Sequence, residues 1–181
     1  THLALHDTLT GLPNRTLLAD RIEHAIQTVK EQGGCFALMF IDLDGFKPVN
    51  DAFGHHMGDQ LLREVGQRLR EDLRSHDTLA RIGGDEFVLL VQLTQPNDAL
   101  GLAERQVVLI NRAFQVAEHE LKISASVGIA MFPGNGSTPQ ELLMNADAAM
   151  YHAKGIGKNG YSFFDVSMNT NARKQLQLLQ D

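Results

Sequence analysis

The sequence predicts an α/β sandwich, helices packed on a mainly antiparallel sheet, and three observations lead there. Residues 36–41 form an unbroken apolar run, the mark of a strand covered on both faces. Stripes of helical period flank it: Leu18, Ile22, Ile26 and Val29 before, and Leu62, Val65, Leu69 and Leu73 after. Two further apolar runs, 78–82 and 87–91, are separated by Gly83, Gly84, Asp85 and Glu86, which reads as a β-hairpin. The resulting order, helix–strand–helix–hairpin–helix–strand–helix–strand, is that of an α/β sandwich with a mainly antiparallel sheet.

Each element has its own signal. Pro13 opens the first helical stripe and Gly33-Gly34 closes it. The run 36–41 leads into a loop, residues 42–47, carrying Asp42, Asp44 and Lys47. The second stripe has a strongly charged outer face. Leu102, Ala103, Val107 and Ile110 mark a third helix after the hairpin. Residues 123–131 read as a strand, entered from another at 114–117. Leu142, Leu143, Ala146, Ala149, Met150 and Ala153 give a small-residue helix face suited to close packing on a sheet. Residues 161–164 read as a closing edge strand. From Asp165 onward Asn, Ser and Gln increase. The expected division is one domain over 1–165 and an outgoing linker or helix over 166–181.

A chain of 181 residues, 43% hydrophobic and 21% charged, is ordinary for one globular domain with a substantial core. Its net charge of −6 makes it a poor match for nucleic acid or an anionic membrane, so any anionic ligand needs local positive charge or a metal. The single Cys35 opens an apolar run and reads as a small hydrophobe, consistent with a reducing cytosol. No run approaches membrane-spanning length and no signal peptide is legible. Beginning at Thr1, the chain reads as cut from something longer.

The chemistry concentrates at two acidic clusters. Adjacent carboxylates Asp85 and Glu86 at the end of a buried hairpin repel each other and lose hydration, which a cation would relieve. Asp42-Leu43-Asp44 ends another apolar run upstream. Asp42, the Leu43 carbonyl, Asp85 and Glu86 are hard oxygen donors suited to Mg²⁺ or Mn²⁺ and to the phosphates such an ion carries. The plainer alternative is that these acids cap strand ends. Adjacent His55 and His56 diverge and have no Cys or further His at ligand spacing, which argues against zinc.

Arg81-Ile82-Gly83-Gly84-Asp85-Glu86-Phe87 resembles the signature of GGDEF domains, the diguanylate cyclases. Four further segments fit the same family in order and spacing. They are Asp7 to Arg15, Asp42 to Asp51, Phe53 to Asp59, and Ala153-Lys154-Gly155-Ile156-Gly157-Lys158-Asn159. The resemblance implies a ferredoxin-like palm, as in nucleotide cyclases. It implies Asp42, Leu43, Asp85 and Glu86 as metal residues, with Asp85, Glu86 and Lys47 catalytic. Gly45, Phe46 and Lys47, in a loop opening a helix, would hold phosphates on free N–H groups. Lys154 and Lys158, four apart on one helical face, would bind triphosphate; family members often carry Arg at the second position. Asn50 and Asp59 correspond to the guanine-reading pair, although either could be a helix cap, and His55 lies near substrate. Adenine would set an acceptor against the carboxylate, so GTP is favoured over ATP. Asp7 and Arg81 are assigned to a structural ion pair.

Arg74-Ser75-His76-Asp77 fits the family's RxxD inhibitory site, with Arg105 as a contributing arginine; by spacing alone, Arg74 and Asp77 are an ordinary surface pair. The implied reaction condenses two GTP into cyclic di-GMP and two pyrophosphates at a homodimer interface with two-metal assistance, and the product also inhibits. The rival is a catalytically silent GTP-binding module regulating an EAL phosphodiesterase. Residues 163–169 and 173–181 resemble the linker of tandem GGDEF–EAL proteins. The domain is expected in the cytoplasm without direct membrane contact. Anchoring of the parent at the inner membrane stays open.

Overall fold

The computed structural model describes residues 4–168. The central sheet has five strands in the order β2-β3-β1-β6-β7, formed by β1 (Cys35–Asp44), β2 (Thr78–Gly83), β3 (Glu86–Leu93), β6 (Ser124–Phe132) and β7 (Gly160–Phe163). β1 pairs antiparallel with β3 and β6, β2 antiparallel with β3, and only the edge strand β7 runs parallel, to β6. The sequence-based expectation of a mainly antiparallel sheet with an edge strand at the end therefore holds.

Alternation along β1 sorts the two layers. Phe36, Leu38 and Phe40 point to one face, where they cluster with Leu18, Ile22 and Ile26 of α1 (Arg15–Gln32) and Leu142, Ala146 and Met150 of α5 (Pro139–Gly155). Ala37, Met39, Ile41 and Leu43 point to the other, against Leu61, Leu62, Val65 and Leu69 of α3 (His55–Glu71) and Ala103 and Ile110 of α4 (Asp98–Asn111). α2 (Phe46–Phe53) joins the second layer through Phe46 and Val49. The small-residue face of α5 lies so close to β6 that a Cβ on Gly128 would sit 2.0 Å from the Met150 nitrogen and 2.1 Å from the Ala146 oxygen. Only glycine permits that approach.

Four local expectations are corrected. β1 runs on to Asp44 and α2 begins at Phe46, so residues 42–47 are strand, one-residue hinge and helix rather than a loop. Antiparallel pairing to Ser126 and Ser124 is what extends the strand past its apolar residues. α3 ends at Glu71, leaving Leu73 beyond it. Residues 114–117 do not lead into the 123–131 strand: β4 (Phe114–Val116) pairs with β5 (His119–Leu121) in a separate two-stranded sheet. α5 stops at Gly155, and Lys158 follows with φ +61, so Lys154 and Lys158 do not share a helical face.

Of the outgoing segment, residues 166–168 form a helical turn. Asn169 and the linker resemblance over 173–181 lie outside the described residues. None of the described helices is long and apolar enough to cross a membrane.

Candidate active site at the ends of β1 and the β2–β3 hairpin

The face of β1 that buries Phe36, Leu38 and Phe40 turns acidic at its last two positions, Asp42 and Asp44. Register brings Glu86 opposite Asp42, and the hairpin tip closes over the strand end, the Leu43 N–H donating to the Asp85 carbonyl at 3.2 Å. Gly84, at φ +25, makes the tight turn ahead of the two acids. Asp42, Asp85 and Glu86 are thus brought to one end of the sheet, as their sequence pattern predicts.

Lys154 reaches into this cluster from α5, its Nζ 2.9 Å from Asp44 Oδ1 and 3.6 Å from Asp42 Oδ2. Burial works against the ammonium, but Asp44 and Asp42 hold its pKa above the ordinary lysine value. Asp44 is 7% exposed and fully engaged. It accepts from Ser124 Oγ and Ser126 Oγ at 2.9 Å each and from the Asn159 N–H at 3.0 Å, besides Lys154. Burial pushes its carboxyl up; Lys154, Asn159 and the serines outweigh it and hold it below the usual range. Asp44 therefore ties the segment after α5 to β1, a role that its sequence neighbours did not reveal.

Asp42 is the opposite case. Burial, followed by the neighbouring charge of Asp85, pushes its carboxyl up to about 7 despite Lys154, and Glu86 adds to the rise. Glu86 is raised as well, by burial and then by Asp147 and Asp85, with Arg15 and Lys154 opposing. Lys154 and Arg15 face five carboxylates, Asp42, Asp44, Asp85, Glu86 and Asp147, so negative charge is left over. Among the described residues no three His, Cys, Asp or Glu side chains form a ready-made metal cage. The donor set is instead carboxylates beside the strand-end backbone. That suits Mg²⁺ or Mn²⁺, which bind through one or two carboxylates and complete their shell with water and phosphate oxygens. The residues fit such an ion.

Gly45, left-handed at φ +87, turns the chain from β1 into α2. Phe46 is 8% exposed and packs in the core, so only its backbone faces outward chemistry, whereas Lys47 is exposed. Asn50 stands on α2 and turns its side chain toward Gly58 of α3, its Oδ1 buried and without a hydrogen-bond partner. Gly58 makes room for it: a Cβ there would sit 1.7 Å from that oxygen. Asp59 and His55 are exposed on α3, and His56 approaches Gln60 at 3.4 Å. Lys158 is exposed beyond α5.

The predicted Asp7–Arg81 pair is present at 2.8 Å. Asp7 also accepts from the Thr10 N–H and hydroxyl at 2.9 and 2.7 Å, while Arg81 Nε and a guanidinium nitrogen donate to the Gly84 carbonyl at 3.0 and 2.8 Å. Arg81 thereby fixes the hairpin tip to the N-terminal turn. Away from the acid cluster, Arg74 donates to Asp77 at 3.3 Å and to the Gln92 carbonyl at 3.0 Å, and Arg105 Nε lies 2.7 and 2.8 Å from the two oxygens of Asp72.

Comparison with known proteins gives the family of the chain. The family model described as "Diguanylate cyclase, GGDEF domain" matches residues 4–160. The chain is 60% identical over 179 residues, 99% of its length, to the bifunctional diguanylate cyclase/cyclic di-GMP phosphodiesterase MucR of Pseudomonas aeruginosa, covering 26% of that protein. It spans about a quarter of the length of the first curated relatives it matches. Among solved structures, the GGDEF domain of TpbB from P. aeruginosa superposes with a TM-score of 0.87 at 34% identity, covering 97% of this chain and 99% of that one. The GGDEF domain of DgcB from Caulobacter crescentus, solved in complex with c-di-GMP, gives 0.80 at 27%, covering 90% and 97%. The chain belongs to the GGDEF-domain family of diguanylate cyclases.

Proposed function

We propose that this domain condenses two GTP molecules into cyclic di-GMP, releasing two pyrophosphates. The observation that carries the reading is the acid cluster at the ends of β1 and the hairpin, where Asp42, Asp85 and Glu86 share too little positive charge. Asp42 and Asp85, with the Leu43 carbonyl and Glu86 beside them, would hold one or two divalent cations, Mg²⁺ or Mn²⁺. When bound, such an ion supplies positive charge to the triphosphate and to the reacting phosphoryl group.

The protein's own residues bind and orient. Backbone N–H groups at Gly45, Phe46 and Lys47 face phosphate at the start of α2, and the Lys47 and Lys154 ammoniums counter its charge, with Lys158 at the rim. The unpartnered Asn50 Oδ1 accepts from an N–H of the guanine edge, and Asp59 accepts from another. Asp85 takes the proton of the ribose 3′-hydroxyl. That oxygen bonds to the α-phosphorus of a GTP held by a second domain, while the bond to pyrophosphate breaks; repeating the step closes the ring. One domain holds one GTP, so the site is complete only in a homodimer, and proximity supplies much of the rate. His55 borders the substrate. The product returns to Arg74, Asp77 and Arg105 as inhibitor.

A second reading is a silent GTP-binding module that regulates an EAL phosphodiesterase in the same chain, favoured by the relatives NbdA and PdeR, 37% and 39% identical, whose names give only cyclic di-GMP phosphodiesterase. Chromatography after incubation with GTP and Mg²⁺ at low and high protein separates the two. Cyclic di-GMP rising more than linearly with protein, and lost in Asp85→Ala, supports the cyclase. GTP binding without product at any concentration supports the silent module. Localisation is proposed as cytoplasmic.

A further inference from the structure

We infer that Asp72 is a built-in competitor for the inhibitory anion site, holding Arg105 until a bis-phosphodiester ligand displaces it. The inference rests on the reading of Arg74, Asp77 and Arg105 as that site. Asp72 caps the C-terminus of α3, two residues before Arg74. Arg105 reaches it from α4, with Nε on both carboxylate oxygens at 2.7 and 2.8 Å and a guanidinium nitrogen on Oδ1 as well. Two parallel donors on one carboxylate make the strong bidentate form of the contact.

Charge balance gives this pairing its consequence. Arg74 is matched by Asp77 and Arg105 by Asp72, so the site is neutral as it stands. A cyclic dinucleotide brings two phosphodiester charges, and it gains a free guanidinium only when one of these pairs opens. The Arg74–Asp77 pair is held further by the Arg74 N–H on Asp77 Oδ2 at 3.1 Å and by the Gln92 carbonyl. The two arginine side chains are equally open, 57% and 56% exposed, but the Arg105 fork has no partner besides Asp72 among the described contacts. It is the arginine that opens.

Its release needs no movement of helices. α3 and α4 are fastened independently by Arg68, which donates to the carbonyls of Leu109, Arg112 and Ala113 at 2.9, 2.7 and 2.8 Å and lies 3.5 Å over the Phe114 ring. A side-chain rotation at Arg105 is enough. Asp72 then sets how much product is needed to inhibit.

The test is calorimetric titration of cyclic di-GMP into the protein and its Asp72→Asn, Asp72→Glu and Arg74→Ala variants. Asp72→Asn keeps the shape and removes the competing charge. Binding should tighten about fivefold, the upper range for losing an exposed ion pair. The gap to the native protein should shrink as salt is raised, and Asp72→Glu should restore the weaker affinity. Unchanged affinity in Asp72→Asn overturns the competition. Weaker affinity also overturns it, because Asp72 would then be orienting Arg105 for the ligand. Binding that survives Arg74→Ala, or no binding by any variant, overturns the inhibitory-site reading itself. Thermal melting of Asp72→Asn, expected to stay within a few degrees of the native protein, separates an affinity effect from a loss of structure.

Discussion

Two charged regions of the domain are built on opposite terms. At the ends of β1 and the hairpin, Asp42, Asp44, Asp85 and Glu86 share Lys154, with Arg15 acting on Glu86 besides, and burial together with the charge of Asp85 pushes Asp42 up to about 7. Elsewhere three arginines are each matched by a carboxylate: Arg74 with Asp77, Arg105 with Asp72, Arg81 with Asp7. Unbalanced charge in a half-buried place is unfavourable without a ligand, so the first region is made for one. Balanced charge is satisfied within the fold, and a ligand there has to compete for it.

The largest effect belongs to the unbalanced cluster. Asp85→Ala should lower product formation from GTP by about a thousandfold or more, the range for removing a group that acts on reacting charge. Chelating the divalent cation with EDTA should do the same to the native protein, with activity returning when Mg²⁺ is added in excess. Product formation that persists in EDTA would remove the role given to the acid cluster.

Next comes Lys154→Ala. It leaves Asp44, 7% exposed, and Asp42 without their cation, and breaking a buried pair costs about 3 kcal/mol. Denaturant unfolding should show a loss of that order. Because a divalent cation can take over the neutralisation, Mg²⁺ should stabilise Lys154→Ala more than the native protein. An equal Mg²⁺ shift in both would mean that lysine and cation do not serve the same carboxylates.

A smaller effect concerns the orphaned amide of Asn50. Gly58→Ala places a methyl group 1.7 Å from Asn50 Oδ1, so the amide must move. KM for GTP should rise about tenfold, and preference over ATP should fall with it, since one specific hydrogen bond to the base is lost. A rise in KM that leaves the GTP-to-ATP ratio intact would mean that Asn50 does not read the base.

How far the chain announced all this follows from the range of the interactions involved. Periods of two and 3.6 residues made the strands and helices of the sandwich readable, and the Gly83-Gly84 turn placed the hairpin. The separate β4–β5 ribbon was missed in part because β5 is only His119–Leu121, with two exposed polar residues and no apolar alternation. The end of β1 read as loop because Asp42 and Asp44 are polar; their strand geometry comes from Ser124 and Ser126, some eighty residues away. The same distance hid Asp44, although alternation puts it on the Asp42 face and the two serines alternate likewise. The shared helical face of Lys154 and Lys158 failed where Gly155 ends α5 and Gly157, at φ +137, breaks it. Local patterns were legible, and long-range polar pairing was not.

The smallest effect tests the balanced region. Burial tends to raise the Asp7 carboxyl, but Thr10, through hydroxyl and N–H, and then Arg81 reverse this and hold it below the ordinary aspartate value. A carboxylate whose folded pKa is depressed contributes stability above its unfolded pKa, about 3.9, and loses that contribution as pH falls through the folded value. Asp7→Asn keeps the shape and removes the charge. At pH 7 it should lower stability by about 1–2 kcal/mol, the range for charge-assisted hydrogen bonds in a partly buried setting. Urea midpoints of the two proteins should converge as pH falls below the unfolded value of about 3.9, because Asp7 then takes up a proton more readily in the unfolded chain than in the folded one. A difference that stays constant down to pH 3 would mean that shape and packing at the N-terminal turn, not the Arg81 pairing, fix the hairpin tip. Convergence would place this pair with the others that the fold keeps for itself, in contrast to the acids at the end of β1.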